Sequence, residues 1–157
     1  MSKIRIELLA DHPEWVPTIA QWHWDEWGHL DPEGSLVKWA DGIAKRNNKD
    51  RIPITFVAVE KDLPVGSVSV EENDMETRKD LIPWLSGVYV KPECRSRGIA
   101  SQLIRSAIDK SQNLDIENLY LYTRSAYGLY RKLGWIEMEK CHYQGREVTI
   151  MYNHLGT

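Results

Sequence analysis

The stretch Val88-Tyr89-Val90-Lys91-Pro92-Glu93-Cys94-Arg95-Ser96-Arg97-Gly98-Ile99-Ala100-Ser101-Gln102-Leu103 decides how the rest of this chain reads. A β-branched, aromatic run stops at Lys91-Pro92 and an arginine-rich turn follows. Apolar residues then recur at Ile99, Leu103, Ile104, Ala107 and Ile108, which predicts a helix over 98–112. The first turn of such a helix leaves backbone N–H groups unpaired beside a partial positive charge, a ready anion site. Gly98 and Ala100 are small enough for a phosphate to approach the backbone, Arg95 and Arg97 add charge, and Ser101 adds a hydroxyl. The spacing is neither GxxxxGK[ST] nor GxGxxG. On the turn alone, a phosphate cradle and a solvated loop fit equally well.

Upstream, 54–60 (ITFVAVE) and 65–71 (VGSVSVE) read as an antiparallel hairpin around Lys61-Asp62-Leu63-Pro64, and 84–90 (WLSGVYV) as a third strand. Gly87 inside that strand marks a bulge or a close backbone approach. Nearer the N-terminus, a strand over 4–9 precedes a helix over 13–27 that Gly28 ends. Ser35 caps a second helix with Leu36, Trp39 and Ile43 on its inner face. Residues 45–51 (KRNNKDR) read as a solvated loop and 72–83 as a charged one. Downstream come a strand over 119–123, a short helix over 126–133 closed by Gly134, and a hairpin of 135–140 and 146–152 around Gln144-Gly145. The order β-α-α-β-β-β-α-β-α-β-β predicts an α+β fold, a mixed α/β layered domain spanning 1–157, rather than a βαβ repeat.

Composition narrows the function classes. The 157 residues are 42% hydrophobic and 27% charged, an ordinary globular balance. A net charge of -3 gives no global drive toward nucleic acid or acidic membranes, and no apolar run approaches the ~20 residues that cross a bilayer. Cys94 and Cys141 match no metal-ligand spacing and form no scaffold, so a reducing, cytoplasmic setting and no metal are expected.

A second segment completes the pattern: Ala126-Tyr127-Gly128-Leu129-Tyr130-Arg131-Lys132-Leu133-Gly134-Trp135. Together with Arg95-Ser96-Arg97-Gly98-Ile99-Ala100 it resembles the GNAT superfamily of N-acetyltransferases, whose motifs are R/Q-x-x-G-x-G/A and A-x-x-[aromatic/apolar]-Y-x-x-L-G-[aromatic]. The resemblance runs from about Ile54 to the end of the chain. It implies a GNAT-like acyl-CoA N-acyltransferase fold, with a mostly antiparallel twisted sheet of about six or seven strands and helices on both faces. It implies acetyl-CoA as co-substrate. The backbone of Val88, Tyr89 and Val90 would bind the pantetheine arm. The turn from Arg95 through Ser96, Arg97, Gly98, Ile99 and Ala100 to Ser101 would take the pyrophosphate. Thr123, Ala126 and Tyr127 would also touch the cofactor, and Tyr130 would be the general acid to the CoA thiolate. Two departures stand out: Thr123 occupies a position where the family often has Asn, and Ser96 one where it often has Gly; Ser is tolerable there if its φ is negative.

The acceptor would be a primary amine, on a small molecule or a peptide. A Lys-type amine costs roughly 4–5 kcal/mol to deprotonate at pH 7, so a base matters. Strand 84–90 carries no carboxylate, which leaves Glu71, Glu72 and Asp74 on one side and Asp25, Glu26 and His29 on the other; Glu72 and Glu26 are the expected base positions. Trp24, Trp27, His29 and Trp84 are the expected acceptor contacts, since indoles with carboxylates suit a cation. Trp15, Trp22 and Trp39 read as core. The resemblance also allows homodimer pairing through the C-terminal strands or sheet edges. A catalytically silent acyl-CoA-binding module, or transfer of a longer acyl group, are the alternatives.

Overall fold

The computed structural model describes residues 3–156. Seven strands form a single sheet: β1 (Arg5–Leu8), β2 (Ile54–Glu60), β3 (Leu63–Glu71), β4 (Trp84–Val90), β5 (Asn118–Thr123), β6 (Ile136–Tyr143) and β7 (Arg146–His154). Their spatial order is β1-β2-β3-β4-β5-β7-β6. Every pairing is antiparallel except β4 with β5, which is parallel and limited to Trp84 opposite Tyr120. Beyond Trp84 the two central strands part, and the β5-facing edge of β4 runs free of its neighbour to Val90.

Helices cover both faces. The α1 helix (Val16–Trp27) and α2 (Leu36–Ala44) lie on one, where Ile19, Ala20 and Ile43 bury against Val57 and Val59. On the other, α3 (Ile99–Asn113) buries Ile99, Leu103, Ile104 and Ala107 against Phe56, Val68 and Leu85. Each buried aliphatic side chain of this size contributes about 1.5–3 kcal/mol, so α3 is held by one face. The short α4 (Tyr127–Lys132) joins the same cluster through Tyr130. In the turn before it, the Thr123 hydroxyl accepts from the Ala126 N–H at 3.0 Å.

Boundaries shift for physical reasons. The helix expected over 13–27 opens with a 3-10 turn, Pro13–Trp15, before α1 begins. Gly98 sits outside α3 as its N-cap, at φ 79°. Ser35 caps α2 by accepting from the Lys38 N–H at 3.1 Å. The segment over 72–83, expected as a charged loop, folds back as a strap: Met75 and Leu81 bury against Trp84, Val148 and Ile150. Nor is 45–51 wholly solvated, because the Arg46 guanidinium reaches Ser69 and Glu71 on β3.

Gly87 is where α1 meets the sheet. The register slips between Ser67 and Ser69 opposite it, its φ is 60°, and a Cβ there would stand 3.0 Å from the His23 ring. His23 is buried, with Nε2 3.4 Å from Ser67 Oγ, and its ring packs on Trp27 and Tyr89. Burial first, and the Arg46 charge second, hold its pKa down at about 3. The unfolded chain, with a His near 6.5, therefore takes up this proton first, and the stability of the neutral ring is lost as pH falls from about 6.5 toward 3. Between pH 7 and pH 4 the wild type is expected to lose roughly 3 kcal/mol more than His23→Gln, measured by urea unfolding at both values. Equal losses would remove His23 as the acid-sensitive contact.

Candidate active site

The gap between β4 and β5 opens into a cavity of about 820 Å³. Leu85, Ser86, Gly87 and Val88 line it from β4, and Leu121, Tyr122 and Thr123 from β5. Tyr130 and Ala126 close one side from the start of α4; the strap brings Asp74 and Glu76; the β6–β7 hairpin brings Tyr143, Gln144 and Arg146. His23, Glu26, Trp27 and His29 reach it from the end of α1, and Trp39 and Arg46 from α2 and the loop after it.

The Tyr130 side chain is buried edge-on to Trp135, with ring centroids 6.1 Å apart. Its hydroxyl makes no hydrogen bond to protein among the described residues, and burial pushes its pKa up to about 12. It is therefore a protonated donor throughout the neutral range. Across the cavity, Ser86 donates to Glu71, and the Arg46 guanidinium lies 3.2 Å from the same carboxylate. Asp74 is the more perturbed acid: burial and then the neighbouring Glu71 charge raise it well above the usual carboxylate range, against a lowering by Arg46. A carboxylate raised in this way is a better proton acceptor than an ordinary one.

The arginine turn follows the free edge of β4. Ser96 and Gly98 both adopt positive φ, 63° and 79°. The condition that made Ser acceptable at 96 is thus not met, and Ser96 carries backbone strain that Gly would not. From Ser96 to Ser101, six successive backbone N–H groups meet no acceptor among the described residues. A Cβ at Gly98 would have nothing within 4 Å, so the space over those donors is open. Free N–H groups around left-handed residues at a helix N-terminus fit a phosphate. The arginine side chains are otherwise engaged. Arg97 binds Glu60 through both nitrogens, at 3.1 and 2.5 Å, and holds that carboxyl below its ordinary range. Arg95 donates to the Val90 carbonyl at 2.8 Å, lies 3.6 Å from Glu26 and covers the Tyr89 ring.

Several expected site residues stand elsewhere. Trp84 is fully buried, donates to the Leu81 carbonyl at 2.6 Å and packs on Tyr120 and Tyr122; it wedges the floor of the gap rather than facing an acceptor. Trp24 packs on Trp39 and against Gly28, outside the cavity lining. Glu72 is exposed just past β3, while Glu71, one residue earlier, faces the cavity; a one-residue step in an extended chain reverses the side. Tyr127 is half exposed and lines a separate small pocket with Arg131 and Lys140. Tyr89 stacks on Trp22, and Val90 buries toward α3, so only their backbones can serve the gap. Trp27, His29 and Glu26 do line the cavity, Glu26 beside Arg95. Asp74, Arg46 and Arg146 were not singled out as cavity groups together; the apolar Met75 and Leu81 inside 72–83 were the signal that this loop folds inward. No cluster of metal-ligating side chains occurs among the described residues.

No curated protein sequence matches the chain. Among solved structures, it is similar to a putative acetyltransferase from Salmonella typhimurium with its cofactor acetyl-CoA, at 16% identity over 99% of this chain and 96% of that one, with a TM-score of 0.77. It is similar to an aminoglycoside 6'-N-acetyltransferase complexed with coenzyme A, at 14% identity over 98% of each chain and a TM-score of 0.76. It also resembles a spermidine N-acetyltransferase chimera that includes the Vibrio cholerae enzyme, at 19% identity over 98% of this chain and 96% of that one, with a TM-score of 0.73. The model of the acetyltransferase (GNAT) family matches residues 7–135, a span that takes in the parted strands, the arginine turn and α4. The chain belongs to that family of acyltransferases.

Proposed function

We propose that this protein transfers the acetyl group of acetyl-CoA to a primary amine by direct attack, with Tyr130 as general acid and Asp74 as base. The observation that carries the cofactor half is the row of six free backbone N–H groups from Ser96 to Ser101 beside the unpaired edge of β4. Those donors would hold the pyrophosphate. The β5-facing backbone of Val88, Tyr89 and Val90, apart from the Val90 carbonyl that Arg95 holds, would take the pantetheine arm as a missing strand would. When bound, acetyl-CoA supplies a thioester whose carbonyl carbon forms the new C–N bond as the C–S bond breaks.

Residues of this chain then handle the protons. Asp74, its pKa raised by burial and Glu71, takes one proton from the amine, directly or through a water. Tyr130 donates its hydroxyl proton to the departing sulfur and is reprotonated by the second proton the nitrogen loses. A phenol held near 12 gives up its proton reluctantly to a thiolate whose acid form sits near 8.5, so much of its contribution is a hydrogen bond to the developing charge. The bulge at Gly87 leaves Val88 out of the paired register, and its N–H would meet the carbonyl oxygen. A silent CoA-binding module has less support, because such a module needs neither Tyr130 nor a raised carboxyl facing the same space.

Three outcomes are expected. Tyr130→Phe should lower kcat by about 10²- to 10⁴-fold with little change in acetyl-CoA affinity; wild-type turnover would return Tyr130 to packing. Ser101→Asp favours the α3 dipole but opposes an anion, so acetyl-CoA binding by calorimetry should weaken at least about tenfold with Tm unchanged or higher. In Glu71→Gln the charge that raises Asp74 is gone, so the acid limb of the kcat/KM profile should move to lower pH. A limb that stays in place would take Asp74 out of the base role.

A further inference from the structure

Four arginines are withdrawn from full solvent exposure: Arg46, Arg78, Arg97 and Arg146. Arg46 pairs with Glu71, Arg78 with Asp80 and Glu139, and Arg97 with Glu60. Arg146 pairs with no carboxylate among the described residues, and its Nε is buried without a hydrogen-bond partner. It stands at the first position of β7 and lines the cavity. A buried guanidinium N–H left without an acceptor is costly, and the planar fork of the group matches a carboxylate.

The same cavity holds the opposite chemistry. Asp74 and Glu71 both line it, and Arg46 beside them is already committed to Ser69 and Glu71. Burial and then the Asp74 charge raise the Tyr122 phenol, Arg146 lowers it, and all three side chains line the one cavity. Trp27, Trp39 and Tyr143 supply flat apolar walls around them.

We propose that the acceptor is an amino-acid-like zwitterion, its carboxylate held by Arg146 and its amine presented to Asp74. The assignment rests on the N-acetyltransferase reading above and adds the charge that the acceptor must carry away from its amine. A purely cationic acceptor would leave Arg146 unpaired and repelled.

The test uses thiol release from acetyl-CoA with the whole protein. The acceptors are a panel of aliphatic and aromatic L-amino acids, the carboxamide of each, the matching decarboxylated amines, and spermidine. The carboxylates are expected to exceed their carboxamides in kcat/KM by about 10- to 100-fold, the scale of a charged hydrogen-bonded pair. Arg146→Met should collapse that ratio chiefly through KM, and Arg146→Lys should keep part of it. Thermal stabilisation by acetyl-CoA in both variants checks that they fold. Preference for carboxamides or spermidine overturns the proposal, as does an unchanged ratio in Arg146→Met. So does a protein that acetyl-CoA stabilises but that acetylates no carboxylate of the panel. A protein that acetyl-CoA does not stabilise at millimolar concentration fails the N-acetyltransferase reading itself, and this proposal with it.

Discussion

Everything at the site follows from one interruption in hydrogen bonding. β4 and β5 are adjacent and parallel, yet they pair only at Trp84 and Tyr120. Past that point a row of backbone donors and acceptors in the middle of the sheet has no strand to satisfy it. Buried backbone groups are rarely left so, because each costs about as much as a lost hydrogen bond. The gap is held open from below by Trp84, a fully buried wedge fixed to Leu81 and packed against two tyrosines of β5. It is held open from above by the bulge at Gly87, whose missing Cβ makes room for His23. An extended ligand with amide groups is the natural complement to such an edge.

Charge is divided between holding and binding. Arg97 ties the turn to β2 through Glu60, and Arg95 ties the end of β4 toward α1. Their guanidinium groups shape the loop, and the anion site falls to the backbone N–H groups they leave free. In the cavity, Arg46 restrains Glu71, and Glu71 in turn raises Asp74. A structural pairing thus tunes the neighbouring group. The strain at Ser96 belongs to the same economy: a left-handed non-glycine residue is tolerated where it turns successive donors to one side.

The strand and helix order was legible because each element carries its own period. The β2–β3 hairpin, β4 and the apolar face of α3 could be read directly, and the strand-to-helix turn read equally as an anion cradle or a solvated loop until the second motif was set beside it. Trp24 and Trp84 were harder. An indole in a sequence does not say which side of the backbone it will occupy, and both were expected at the acceptor. Packing on Trp39 claimed one and the floor of the sheet claimed the other. Glu71 and Glu72 differ only in strand phase, and the phase is fixed by the register Glu71 opposite Trp84.

The sequence by itself determined the layered α+β fold, the turn that exposes N–H groups, and Tyr130 within its short helix, because these depend on residues within a few positions of one another. Only the tertiary structure decided which charges share the cavity. Arg46, the Glu71–Asp74 stretch and Arg146 come from three separate segments, and their pairing or isolation depends on how the strap and the β6–β7 hairpin fold over the gap. Local periodicity carries no information about that meeting, since electrostatic partners are chosen by proximity in space and by what the surrounding core excludes.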